Sequence, residues 1–291
     1  MNTTALGTKK LSAISDLIRL TKQYGTLLVL WPTLWSLVIA SGGRPAIKHL
    51  VIFTLGAFLM RSAGCAINDI ADRGFDPLVE RTRSRPLASG RLNVKEALFV
   101  FFALSILAFV LVLFLNPLTI MLSFAGIALA STYPFVKRVS YLPQAFLGVA
   151  FGWGAVMAWA AVRNTLGLIP FLIFAANVFW SMAYDTIYAL MDREDDLKVG
   201  VKSTAILFGE GVYTALDILY IAFSATLALA GWLTGLGAFF YAGVGLGLVS
   251  FLWVVRSVRE NPGREAAFNG FLANAAIGGM LLFSIVIDMN L

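Results

Sequence analysis

The stretch Asn68-Asp69-Ile70-Ala71-Asp72-Arg73-Gly74-Phe75-Asp76 sets three carboxylates and an amide at the end of a long apolar run. If the helix before it continues, Asn68, Asp72 and Asp76 share one face at i, i+4 and i+8, with Asp69 one turn before Asp72. Like charges so spaced repel, and the face needs protons or a cation. Oxygen ligands without His or Cys suit a hard ion such as Mg2+. A second set follows: Asp185, Asp192 and Asp196 at i, i+7 and i+11, with Tyr188 on the same face and Asp195 beside it. A single acidic helix end can simply face water; a matched pair in one apolar chain points to a shared site.

The elements that carry these residues are membrane helices. Hydrophobic residues make up 59% of the 291 and charged ones 13%, and the mean hydropathy is +0.83, far from the balance of a soluble domain. Apolar runs long enough to cross a bilayer fall at about 24–41, 48–68, 96–115, 118–135, 142–162, 168–189, 213–231, 236–255 and 267–288. This predicts an all-α integral membrane protein of nine spans, a single polytopic domain over residues 1–291. Asn116-Pro117 splits the third run from the fourth, because proline fixes φ and removes a donor. No cleavable signal is evident in the polar first 23 residues, and with no transit peptide a bacterial inner membrane is expected.

With nine spans, the amino terminus and the loops after spans two, four, six and eight share one side. Nearly all of the 22 Lys and Arg lie there; the other side has only Arg44, Lys48 and Arg163, and Arg61 lies within span two. That bias makes the basic side cytoplasmic and accounts for the net charge of +6 without nucleic acid. Both acidic clusters end on that side, so their loops can converge. Cys65 and His49 are the only residues of their kinds, which leaves no disulfide framework and no thiolate or imidazole metal site.

Facing carboxylates with cations on the same loops suit a metal-bridged polyphosphate. The candidate cations are Arg73, Arg81, Arg83, Arg85, Lys137, Arg138, Lys198 and Lys202. No Walker-type loop is present, so a nucleoside triphosphate is not the natural ligand. An alkyl diphosphate fits better: its tail can lie among apolar helices while metal and cations stabilise the departing diphosphate. An allylic cation then needs a dry, aromatic-lined cavity, for which Tyr133, Trp153 and Tyr188 are candidates. A divalent-cation transport path would instead put carboxylates near mid-membrane with exits to both faces.

Asn68-Asp69-x-x-Asp72-x-x-x-Asp76 with Arg81-Thr82-x-x-Arg85-Pro86-Leu87, and Tyr184-Asp185-Thr186-x-Tyr188-Ala189-x-x-Asp192-x-x-x-Asp196 with Gly200-x-Lys202-Ser203-Thr204, resemble the paired motifs of the UbiA superfamily of intramembrane aromatic prenyltransferases. Leu30-Trp31-Pro32-Thr33-Leu34-Trp35, Arg61-Ser62-Ala63-Gly64-Cys65, Tyr133-Pro134-Phe135-x-Lys137-Arg138, Leu142-Pro143-Gln144 and Gly152-Trp153 extend the likeness from about Arg19 to the last helix. Within the superfamily the chain is most similar to the branch that acts on 4-hydroxybenzoate in ubiquinone biosynthesis. The resemblance implies nine helices around a central cavity with a cytoplasmic cap. It implies Mg2+ between diphosphate and Asp72, Asp76, Asp192 and Asp196, the catalytic set, with Asn68 and Asp69 as supporting ligands. Substrate contacts are expected from Asn68, Arg73, Lys137, Arg138, Tyr188 and Lys198. The implied reaction carries a polyprenyl group from its diphosphate to C3 of 4-hydroxybenzoate. Homogentisate, a dihydroxynaphthoate, haem or a chlorophyll precursor are the alternative acceptors.

Overall fold

The computed structural model describes residues 3–291, with side chains from residue 9 onward. Helix α1 (Thr3–Leu17) precedes a bundle of α2 (Tyr24–Ala40), α3 (Ile47–Asp72), α4 (Val94–Val112), α5 (Pro117–Thr132), α6 (Pro143–Arg163) and α7 (Leu168–Ala189). Short α8 (Arg193–Val199) and α9 (Thr204–Leu207) lead to α10 (Val212–Thr234), α11 (Ala238–Glu260) and α12 (Arg264–Asn290). Among the described residues, eight helices are long and apolar enough to cross a membrane, and α2, at 17 residues, is a ninth apolar helix. All nine coincide with the expected runs, and the fold is all-α.

Local chemistry explains the boundaries. Asn93 begins α4 with a capping box: its side chain accepts from the Glu96 N–H, and the Glu96 carboxylate accepts from the Asn93 N–H. Asn116 caps α5 without the reciprocal bond, its side chain accepting from the Thr119 N–H, with Pro117 at the first helical position, so the third and fourth spans part where the proline predicts. In membrane helices that pack without a hydrophobic drive between them, small residues let backbones meet. Gly148 and Gly152 do this for α6: a Cβ on Gly148 would lie 2.9 Å from the Val178 Cα of α7.

The largest core cluster joins α2, α6, α7 and α10 to α12. At its centre Trp180 stacks on Phe223 at 5.8 Å and Tyr220 on Phe251 at 4.4 Å. Polar groups buried here find partners. Asn274 of α12 accepts from the Trp180 indole (2.9 Å) and the Tyr220 hydroxyl (3.0 Å), and its amide donates to the Gly270 carbonyl. The indoles of Trp31 and Trp35 on α2 donate to the carbonyls of Ala275 and Gly278 on α12.

Two features depart from the sequence expectation. The amino-terminal segment, read only as polar and without a cleavable signal, contains α1, which buries Ala13 and Leu17 against Ala63, Ile67 and Ile70 of α3 and Leu92 before α4. The α3 helix also does not run on through Asp76. It ends at Asp72, and a turn through Gly74 leads into a short 3-10 turn at Asp76–Leu78. Pro77 explains the stop, since a proline disfavours helix at the residue before it and supplies no N–H.

Candidate active site

At one end of the bundle, α3, α7 and the loops that follow them enclose a cavity of about 730 Å³. α3 is 26 residues long, about 39 Å at the helical rise, so it outruns a hydrocarbon core of about 30 Å and carries its acidic end to the mouth. Asn68, Asp69, Asp72 and Asp76 from this side line the cavity, and Asp185, Tyr188, Asp192 and Asp196 line it from the other. The two motifs therefore share one site, as the parity of the spans allows.

The first group is neutralised from three directions. Asp69 is fully buried and takes an ion pair from Arg19 at 2.7 Å. Arg19, in the left-handed region at φ 57°, turns the chain between α1 and α2. The Arg85 guanidinium lies 3.1 Å from both Asp76 oxygens, 3.4 Å from Asp69 and 3.7 Å from Asp72. Lys137, on the 3-10 turn Tyr133–Arg138 after α5, ion-pairs with Asp72, and the Asn68 amide donates to the other Asp72 oxygen at 3.0 Å. Burial pushes the Asp76 carboxyl up to about 6, with Arg85 opposing the rise and Asp72 and Asp69 adding to it. Burial alone would lower Arg85, and the Asp69 and Asp76 carboxylates more than reverse it.

The second group is held by one cation. Arg81, from the loop after α3, places Nε 3.0 Å from both Asp192 oxygens and donates from Nη1 to the Tyr188 hydroxyl at 2.8 Å. Its fork ties the two motif loops together and holds Arg81 well above the usual guanidinium range despite burial. Asp185 and Asp196 have no hydrogen-bond or ion-pair partner among the described residues. Burial, followed by the neighbouring Asp192 charge, pushes Asp196 up to about 6.

The cavity lining also carries an aromatic group, with Tyr24, Tyr133, Phe151, Tyr184 and Phe271. Arg61 of α3 also lines it, and among the described residues no carboxylate pairs with it; its guanidinium reaches the Cys65 thiol and lies against Gly25.

Several expected contacts lie elsewhere. Arg73 is exposed and donates to the Ile70 carbonyl at 3.3 Å. Lys198 is exposed on the outer face of α8, 3.7 Å from Asp195. Arg138 does not line the cavity: it donates to the Ala71 carbonyl and lies over the rings of Phe75 and Phe135. Trp153 is turned toward α5, its indole donating to the Leu122 carbonyl, whereas Tyr133 and Tyr188 do line the cavity. Their places at the mouth are taken by Arg81, Arg85 and Lys202, all named in the sequence as loop cations, and by Arg19, which had been read only as part of the basic bias.

Donor type fits a hard cation: the polar lining is rich in carboxylate oxygen, and the buried Asp69 Oδ2 accepts no hydrogen bond. Among the described residues no three Asp, Glu, His or Cys side chains are yet gathered as a ligand set. Arg81 and Arg85 hold the carboxylates instead, so a metal would take over charge that guanidinium now balances.

A profile of the UbiA prenyltransferase family matches residues 29–275. The chain belongs to this family. A curated relative named 4-hydroxybenzoate octaprenyltransferase, from Cronobacter sakazakii, is 48% identical over 284 residues, covering 98% of each chain. Its counterpart in Alkalilimnicola ehrlichii is 47% identical over 277 residues, 95% of this chain and 94% of that one. Among solved structures, the apo UbiA homologue of Aeropyrum pernix K1 superposes with a TM-score of 0.77 at 28% identity, covering 90% of this chain and 98% of that one. A homologue from Archaeoglobus fulgidus bound to GPP and Mg2+ has the same fold, with a TM-score of 0.72 at 17% identity over 96% of this chain and all of the other.

Proposed function

We propose that the protein transfers a polyprenyl group from polyprenyl diphosphate to C3 of 4-hydroxybenzoate, a step of ubiquinone biosynthesis, in a multi-pass arrangement in a bacterial inner membrane. The observation that carries this reading is the cavity itself. Its mouth joins two aspartate motifs through Arg81, and its lining also carries aromatic side chains and Arg61, which among the described residues pairs with no carboxylate. The near full-length identity to two 4-hydroxybenzoate octaprenyltransferases supports the same acceptor.

Asp72, Asp76, Asp192 and Asp196 would hold Mg2+, with Asn68 and Asp69 supporting. When bound, the ion supplies Lewis-acid stabilisation of the leaving diphosphate. Arg81, Arg85, Lys137 and Lys202 bind the remaining phosphate oxygens, and Tyr188 keeps Arg81 in place. The aromatic wall shields the allylic carbon from water as its bond to the diphosphate oxygen breaks and the bond to C3 forms, after which C3 gives up its proton to the released diphosphate and the ring regains its aromaticity. Arg61 takes the benzoate carboxylate, which needs a cation in so apolar a setting. The distribution of Lys and Arg supports a site facing the cytoplasm.

Purified protein in detergent, given 4-hydroxybenzoate and an allylic polyprenyl diphosphate, should form the 3-prenylated product with Mg2+ and none with EDTA. Product from another aromatic but not from 4-hydroxybenzoate would move the acceptor; no product from any aromatic, with folded protein, would overturn the reading.

A further inference from the structure

Arg264, the first residue of α12, lies outside the cavity and belongs to neither motif. Its guanidinium makes three contacts. Nη1 donates to Glu80 at 2.6 Å, Nη2 to Asp195 at 3.0 Å and Nε to the Met191 carbonyl at 3.1 Å. Each of these partners stands next in sequence to a residue on the cavity: Glu80 to Arg81, Met191 to Asp192, and Asp195 to Asp196. The loop after α3 and the loop after α7 are thus tied to the same planar group from outside, while Arg81 and Asp192 join them from inside.

We propose that Arg264 is a positioning residue that sets the relative register of the two motif loops, and so the separation across which diphosphate is bound. The argument rests on geometry. A guanidinium presents its donors in a rigid planar fork, so three simultaneous acceptors fix position and orientation together. Arg264 projects from the end of a long helix whose next turns are anchored in the core by Asn274 and by the α2 indoles. On the α7 side the segment contributes little packing of its own: α8 has seven residues and none of them is buried. An isolated exposed ion pair contributes little. A fork shared by two loops and referenced to an anchored helix instead acts on their mutual distance, and small misplacements of binding groups are costly.

The inference rests on the diphosphate-binding reading for its kinetic arm, so the test has a second arm that does not. In wild-type enzyme, Arg264→Gln should raise KM for polyprenyl diphosphate roughly tenfold with kcat within about twofold, because the binding groups are displaced while the reacting residues are intact. Arg264→Lys, which keeps the charge and loses the fork, should recover only part of the loss. Asp195→Asn should raise KM on its own yet add little in the Arg264→Gln background, the non-additivity expected of one connected unit. Independently of turnover, hydrogen exchange should accelerate in residues 73–92 and 190–203 together in Arg264→Gln. Unchanged exchange in both loops of folded Arg264→Gln protein would overturn the clasp, as would full rescue by lysine or additive losses. Should the wild type transfer no prenyl group, the functional reading fails while the exchange arm still decides the clasp.

Discussion

The two aspartate motifs look alike in sequence, but they are in different physical states. Asp69, Asp72 and Asp76 cluster at the end of a 26-residue span, buried and answered by Arg19, Arg85 and Lys137. Asp185, Asp192 and Asp196 are spread over α7, the turn after it and α8, and only Asp192 is gripped, by Arg81. One half of the site is electrostatically complete before any ligand arrives; the other is short of positive charge. Buried like charges cost several kcal/mol unless they are paired, so the first half is built for stability as well as for chemistry. The second half leaves two cavity carboxylates, Asp185 and Asp196, without an ion-pair partner among the described residues.

The largest effect tests whether both halves are needed for the reaction. Asp72→Ala and Asp192→Ala should each lower turnover by roughly a thousandfold or more, the scale of losing metal stabilisation of a leaving group, with the fold retained by circular dichroism. Wild-type rates in either variant would break the symmetry of roles. Next comes stability. Arg85→Ala should destabilise the metal-free protein by about 3 kcal/mol, the scale of leaving buried charge unpaired, and Arg81→Ala by visibly less. Thermal melts with and without Mg2+ read this out, and Mg2+ should recover most of the Arg85→Ala loss. Equal losses in the two variants would erase the difference between the halves. Smallest are Arg73→Gln and Lys198→Gln, which should leave KM for the diphosphate within about twofold, as expected of exposed groups; a tenfold rise in either would return it to the site.

Much of this was legible in the sequence because it depends on short-range rules. Hydropathy runs locate the nine helices, Asn116-Pro117 marks a real break, and the parity of spans correctly brings Asp72 and Asp192 to the same end. What could not be read depends on pairings between distant residues. Arg19 meets Asp69 across 50 positions and Arg264 meets Glu80 across 184, and no spacing rule connects either pair. The helical continuation through Asp76 failed for a local reason that was visible, since Pro77 follows it. Arg73 and Lys198 sit within their motifs yet face away: Arg73 follows the last residue of α3, where the helix ends, and Lys198 lies on the exposed side of the last turn of α8.

The indole bonds from α2 to α12 also bear on how the protein is made. Trp35 and its acceptor Gly278 are 243 residues apart. At about 5–20 residues per second, a nascent chain waits on the order of tens of seconds between exposing the first span and supplying its partner. During that interval the two indole N–H groups of α2 have no native acceptor in the bilayer. The contact between α2 and α12 can form only when translation is nearly complete, so a chain released early carries two indole N–H groups on its first span without their native acceptors.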